Sequence, residues 1–194
     1  MKIYDIAFIG LGASSLATIK LKYSYSQLSI IGIDKEFKSS RNNFFAFWLT
    51  DWMKSFESII TQKWNKWSFY YENIDITHTS NFRPYCVIRF QEWKKFCLEN
   101  IHNINYKENK VIKISKKDDC YKITLDNNEN IFAKKIYDSR SPEIKKDGLK
   151  QHFVGQIIQT TKAHKMNIAK LMDFRVSQEK GLHFMYCLPI NDNQ

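Results

Sequence analysis

The sequence predicts an α/β protein organised around a dinucleotide-binding βαβ unit. One observation is a pair of short apolar runs, residues 2–9 and 28–33, rich in β-branched and aromatic side chains. Strands buried on both faces of a parallel sheet have that composition. A second observation is the spacing around them. Gly10-Leu11-Gly12-Ala13-Ser14-Ser15 follows the first run, and Asp34 ends the second, 22 positions after Gly12. Two glycines in a strand-to-helix turn, with an acid about 20 residues on, are the mark of a dinucleotide-binding unit.

Each element of that unit has a physical role. Gly10 permits the tight turn, and Gly12 lets the backbone approach a pyrophosphate held at a helix N-terminus. Leu16, Ile19 and Tyr23 recur at helical spacing after the turn. Asp34 would accept a hydrogen bond from a ribose hydroxyl. Ser15 replaces the third glycine of the fingerprint, so helix and strand should sit slightly further apart. The plain alternative is a strand-turn-helix that binds nothing.

Beyond Asp34 the character changes. Residues 35–85 are aromatic-dense and turn-rich, with Phe44-Phe45-Ala46-Phe47-Trp48, Trp52, Trp64, Trp67 to Tyr71 and Tyr85. These rings fill a core or line a tunnel for a long apolar ligand, and both demand the same residues. Phe90, Trp93, Phe96, Cys97 and Ile101 recur at helical spacing, so 90–101 is expected as an amphipathic helix. Strands are expected at 110–115, 120–125 and 130–133, with turns at Asp118-Asp119 and Asp126-Asn127-Asn128. A further strand, 135–137, runs into Asp138-Ser139-Arg140. Later, Phe174 and Val176 alternate with Asp173 and Arg175, and Phe184, Tyr186 and Leu188 alternate likewise, as in strands with one buried face. Asp173 and Arg175 would then share a face and pair. Such a pair is structural by default, and Asp173 is only a weak catalytic candidate, because a nearby guanidinium makes a carboxyl a poorer proton donor.

Composition narrows the class. A chain of 194 residues with 43% hydrophobic content can bury a core. The four cysteines are widely spaced and read as thiols in a reducing compartment. The five histidines show no metal-ligand spacing, and no metal site is expected. The formal charge of +10 is spread along the chain without an arginine-rich block, which argues against nucleic acid as a partner. It reads as a solvated surface or as attraction to anionic lipid headgroups. No run reaches about 18 apolar residues, the length of a membrane span. Asp5 interrupts the first apolar stretch, so no signal peptide is expected.

The late motifs resemble a known family. Residues 149–156 (Leu-Lys-Gln-His-Phe-Val-Gly-Gln), 171–178 (Leu-Met-Asp-Phe-Arg-Val-Ser-Gln) and 183–189 (His-Phe-Met-Tyr-Cys-Leu-Pro) are similar to the middle of flavin-dependent lycopene cyclases. The likeness extends to Gly10-Leu11-Gly12-Ala13-Ser14 as the nucleotide loop, and to Asn42-Asn43, Phe47-Trp48, Trp64, Trp67, Tyr85, Arg89-Phe90 and Asp138-Ser139-Arg140. Ser15 and Phe45-Ala46 depart from the family pattern.

The resemblance implies a Rossmann-like FAD-binding domain with a β-meander insertion, plus a partial antiparallel substrate sheet, as in flavoprotein hydroxylases. Residues 1–40 and 86–148 would form the dinucleotide-binding domain, and 41–85 with 149–194 an incomplete substrate side. It implies FAD in reduced form, with NAD(P)H as reductant, bound by Gly10, Gly12, Ala13, Ser14, Asp34 and Asp138. The implied reaction is redox-neutral: a carboxylic acid protonates the ψ-end of lycopene or another acyclic carotenoid, and ring closure with proton loss leaves a β-ionone. The family's acid is expected beyond Gln194, in a C-terminal half, since Glu179 and Asp192 match no family acid. A cytoplasmic, peripherally membrane-associated enzyme follows from the substrate. The alternatives are another FAD-dependent oxidoreductase, such as a hydroxylase or an isoprenoid reductase, and a non-catalytic fragment.

Overall fold

The computed structural model describes residues 2–38, 43–141, 148 and 150–194. Asn42 and Leu149, part of the family likeness, lie outside them. In chain order the first elements are β1 (Ile3–Ile9), α1 (Ala13–Thr18), β2 (Ile30–Ile33) and β3 (Phe44–Trp48). A π-helical turn, Ile19–Tyr23, extends α1, and a 3-10 helix spans Asp51–Ile59. Next come β4 (Gln62–Trp64), β5 (Lys66–Tyr71), β6 (Ile74–Thr79), β7 (Tyr85–Arg89) and α2 (Phe90–Leu98). The remaining strands are β8 (Ile104–Lys107), β9 (Val111–Lys117), β10 (Cys120–Leu125), β11 (Asn130–Asp138), β12 (Ala169–Asp173) and β13 (Met185–Cys187).

These elements divide into two compact units. The first comprises Met1–Asn42 and Phe90–Leu149, and the second Asn43–Arg89 and Lys150–Gln194. Residues 86–89, expected with the nucleotide-binding part, fall in the second unit. Their strand β7 pairs with β3 and β4 and with nothing in the first unit's sheet.

The first unit holds a six-stranded sheet in the order β8-β2-β1-β11-β10-β9. β8, β2, β1 and β11 run parallel, and β9 and β10 add an antiparallel meander at one side. The segments expected as separate strands at 130–133 and 135–137 are one continuous strand, β11. No glycine, proline or turn residue separates them, and β1 pairs along it from Ile3↔Phe132 to Ile9↔Asp138. The meander turns fall where expected, with Asp118 and Asn128 taking left-handed φ values of 51° and 64°. One face of the sheet carries a core of Ala7, Ile9, Ile31, Ile33, Val111, Ile123, Leu125, Ile131 and Ala133. The helical side is fastened by aromatics. Phe8 stacks on Tyr137 with centroids 4.8 Å apart, and the Tyr137 hydroxyl meets that of Tyr23 at 2.8 Å.

The second unit contains a three-stranded sheet, β3-β7-β4, and a four-stranded one, β13-β12-β5-β6. Trp64, Tyr85, Val87, Ala169 and Leu171 form its buried cluster, with Phe44, Trp67 and Phe69 packed against it. β5 and β6 form a hairpin closing at Tyr71↔Ile74, with Glu72 left-handed at φ 49°. Cross-strand pairing sets Trp67, Phe69 and Tyr71 on the same side as His78, Ile76 and Ile74. Strands expected around 173–176 and 184–188 are shorter. β12 stops at Asp173, β13 spans only Met185–Cys187, and Tyr186 is exposed rather than buried.

Two tests follow from the first unit. Truncating Ile123, fully buried in its core, to alanine should cost about 2–5 kcal/mol, read as a lower denaturation midpoint. Asp5 ties three neighbouring strands. Its carboxylate accepts from Ser29 N–H (2.9 Å), Ser29 Oγ (2.8 Å) and Lys134 Nζ (2.8 Å). Lys134 chiefly, then Ser29, hold its pKa well below the usual carboxylate range. Stability from a depressed pKa is present above the unfolded value, about pH 4, and is lost as pH falls through the lower folded value. Asp5→Asn should therefore destabilise at pH 7 but flatten the acid limb of the stability curve below about pH 4. An unchanged acid limb would remove Asp5 from that role.

Candidate functional site

The sequence-predicted nucleotide residues converge at one end of the first unit's sheet. β1 ends at Ile9, and the ladder continues into the turn, where Gly10 N–H donates to Ile33 O at 2.8 Å. Gly10 has φ +83°, a conformation that costs a residue with a Cβ about 1–2 kcal/mol. A Cβ there would also lie 2.6 Å from Ser139 Oγ. Leu11 is buried over Gly32, where an added Cβ would come within 2.9 Å of its side chain.

Gly12 is the N-cap of α1. No side chain caps this helix start, and no acid occupies its first turn. Leu16 N–H donates back to Gly12 O at 3.1 Å, so the helical ladder begins there. The first-turn N–H groups point outward from the helix start, and nothing lies within 4 Å of where a Gly12 Cβ would be. Open space over unclaimed backbone donors fits an anionic phosphate group. Trp93 Nε1, from α2, donates to Ala13 O at 3.1 Å and steadies the start of the helix.

Asp34 is buried at the end of β2. Its Oδ2 accepts Leu11 N–H and its Oδ1 accepts Glu36 N–H, each at 2.8 Å. The residue expected to meet a ribose thus also holds the glycine turn. Asp138, at the end of β11, is engaged in a two-pronged pair with Arg140, at 2.9 Å to Nε and 2.7 Å to Nη2. Arg140 also donates to Val111 O at 3.2 Å. This guanidinium lowers the Asp138 pKa. Sequence reasoning passed over Ser139 as a site residue. Its Oγ lies 2.9 Å from Ile9 O, 3.1 Å from Gly10 O and 3.2 Å from Ser15 Oγ. The serine in the third-glycine position was the available signal, because a buried hydroxyl there needs a partner.

In the second unit, Asp173 and Arg175 do pair, at 2.9 and 2.7 Å, but through a turn rather than across a strand face. Arg175 N–H also donates to Asp173 Oδ1. Arg175 holds the Asp173 pKa down to about 2, so this carboxyl stays ionised at neutral pH. The aromatics divide. Trp64 and Tyr85 are core, whereas Trp48 and Tyr71 are about half exposed. Trp48 stands edge-on to Tyr85 at 4.9 Å, and the Tyr85 hydroxyl bonds that of Tyr186. Desolvation of their paired hydroxyl ends raises the pKa of both phenols, although much of the Tyr186 ring is exposed. No helix among the described residues is long and apolar enough to cross a membrane.

A sequence-family model described as lycopene cyclase protein matches residues 5–194. The chain belongs to the lycopene cyclase family. No curated sequence matches this family member. Among solved structures it is similar to halogenase PltM in complex with ethyl mercury and mercury, at 17% identity and a TM-score of 0.55. That likeness covers 71% of this chain and 35% of PltM. PltM in complex with phloroglucinol and FAD matches at 17% identity and a TM-score of 0.52, over 71% and 34%. A Photorhabdus luminescens subsp. laumondii TTO1 protein described as an FAD containing monooxygenase matches at 13% and a TM-score of 0.50, over 70% and 39%. These likenesses establish a Rossmann-like flavoprotein fold. This lycopene cyclase family chain spans between a third and two fifths of the length of the structures it matches.

The two glycines should respond oppositely to substitution. Gly10→Ala should destabilise by about 1–2 kcal/mol from φ alone, plus the cost of displacing Ser139. A Cβ at Gly12 meets no protein atom within 4 Å, so Gly12→Val should cost less than about 1 kcal/mol, while abolishing phosphate or dinucleotide binding. Thermal melts and ligand titration of the two variants separate these effects.

Proposed function

We propose that this chain forms the nucleotide-binding side of a lycopene β-cyclase-like flavoprotein, which closes the ψ-ends of lycopene, or another acyclic carotenoid, to β-ionone rings. The observation that carries this reading is the family match across residues 5–194. FAD is the cofactor. Gly10, Gly12, Ala13 and Ser14 would hold its pyrophosphate, Asp34 its ribose, and Asp138 would belong to the loop that serves its flavin end. In reduced form, with NAD(P)H as reductant, FAD supplies negative charge that stabilises a nearby carbocation without net electron transfer.

The rest of the chemistry belongs to side chains. Protonating a carbon–carbon double bond near pH 7 needs a carboxylic acid kept neutral, away from cations. Asp173 fails that requirement because Arg175 keeps it ionised. As the family resemblance implies, we place the acid outside residues 1–194, in a C-terminal half that completes the enzyme. The aromatic side of the second unit takes the apolar polyene. A net charge of +10 suits peripheral attachment to an anionic membrane surface on the cytoplasmic side, where the carotenoid dissolves.

Two measurements test the reading. The purified protein should show flavin absorbance, and Asp34→Ala should weaken FAD binding by about 1–3 kcal/mol, for loss of a buried hydrogen-bonding partner. Wild-type affinity in that variant would remove Asp34 from the site. Lycopene-accumulating cells given the chain together with its C-terminal half should turn from red to orange. Unchanged pigment with flavin bound would favour an oxidoreductase of the same fold.

A further inference from the structure

We propose that Ser15 and Ser139 form a hydroxyl bridge that stands in for the missing third glycine, and that Ser139 is a positioning residue for the pyrophosphate turn. This rests on the dinucleotide reading above. A third glycine ordinarily lets the helix approach the first strand closely. Here Ser15 occupies that place and is buried, and its side chain needs a partner rather than space. The partner is Ser139, from the loop after β11, with the two oxygens 3.2 Å apart.

Hydrogen accounting fixes the direction. Ser15 Oγ–H donates to Ser139 Oγ, and the single hydrogen of Ser139 goes to the carbonyls of Ile9 and Gly10, at 2.9 and 3.1 Å. Ser139 N–H donates to Ile9 O as well, at 2.9 Å. The end of β1, the glycine turn, the first turn of α1 and the end of β11 thus meet at one hydroxyl. The same oxygen occupies the space a Cβ on Gly10 would enter. On the other side Asp34 holds Leu11 N–H. The turn is gripped from both neighbouring strands, and the Ser139 hydrogen is committed to protein. Ser139 acts on a ligand through the turn.

The test uses the purified chain and calorimetric titration with two probes, FAD and ADP, which share the pyrophosphate. Ser139→Ala should weaken both by the same factor, about tenfold, as expected for losing one or two part-buried hydrogen bonds. Ser139→Thr, which keeps the hydroxyl, should restore both. Ser15→Ala should also weaken both, and the double alanine variant should be no worse than Ser139→Ala alone, because the two share one bridge. Loss of FAD affinity with ADP affinity intact would overturn the proposal, since Ser139 would then touch the flavin end directly. Additive effects of the two alanines would overturn it too. If Ser139→Ala fails to fold, Ser15→Ala carries the same comparison. If the wild type binds neither probe, the cofactor reading fails, and hydrogen exchange still judges the bridge. Faster exchange of the amides of residues 10–15 in Ser139→Ala supports it, and unchanged exchange overturns it.

Discussion

Strand β1 is paired on both sides, to β2 and to β11, and the placement of the candidate site follows from that. A strand with two partners cannot shift register without breaking two ladders, and here both ladders run on into the turn. Gly10 N–H is taken by β2's Ile33, and Ile9 O by Ser139 at the end of β11. The turn therefore has one position relative to its neighbours. The helix that leaves it starts with donors unclaimed by any cap, because the surrounding side chains are spent on gripping the turn itself. Asp34 illustrates the economy. One carboxylate closes the turn through Leu11 and begins the next through Glu36.

That part of the molecule was legible in the sequence because its signals are local. Two apolar runs, a glycine turn and an acid at fixed spacing each report on a few neighbouring residues. The meander was legible for the same reason, since Asp118 and Asn128 tolerate the left-handed conformations its turns require. What escaped were partnerships across the chain. Ser15 and Ser139 are 124 residues apart, so nothing near either serine announces the other. No breaker interrupts β11, but what holds it as one strand is the pairing with β1, far away in sequence.

The aromatic segment was harder for a related reason. Phe44 pairs with Arg89 and Ala169 with Trp67, so the sheets of the second unit assemble from distant pieces. A run such as Phe44–Trp48 has strand propensity but no local cue to its partner. After Asp173 the alternation imitates a strand without forming one. There the side chain of Gln178 supplies what a neighbouring strand would. Its amide donates to Phe174 O, Val176 O and His183 O, and its carbonyl accepts His183 N–H. A loop stapled by one glutamine satisfies the backbone as well as a ladder does, and residue patterning cannot distinguish them.

The two units divide the physical chemistry between them. In the first, polar atoms are aimed: N–H groups, a buried carboxylate and a hydroxyl surround one turn. In the second, apolar surface is left to water, with Trp48, Tyr71, Ile74 and Ile76 about half exposed and Phe153 more so. Ile74 and Ile76 share a face with Trp67 and Phe69, so this is a patterned side of a sheet and not scattered exposure. Contiguous apolar surface is costly to keep in water and is characteristic of surfaces that meet apolar partners. These exposed isoleucines are the second unit's counterpart to the open backbone donors of the first: one set suits an apolar partner, the other an anion.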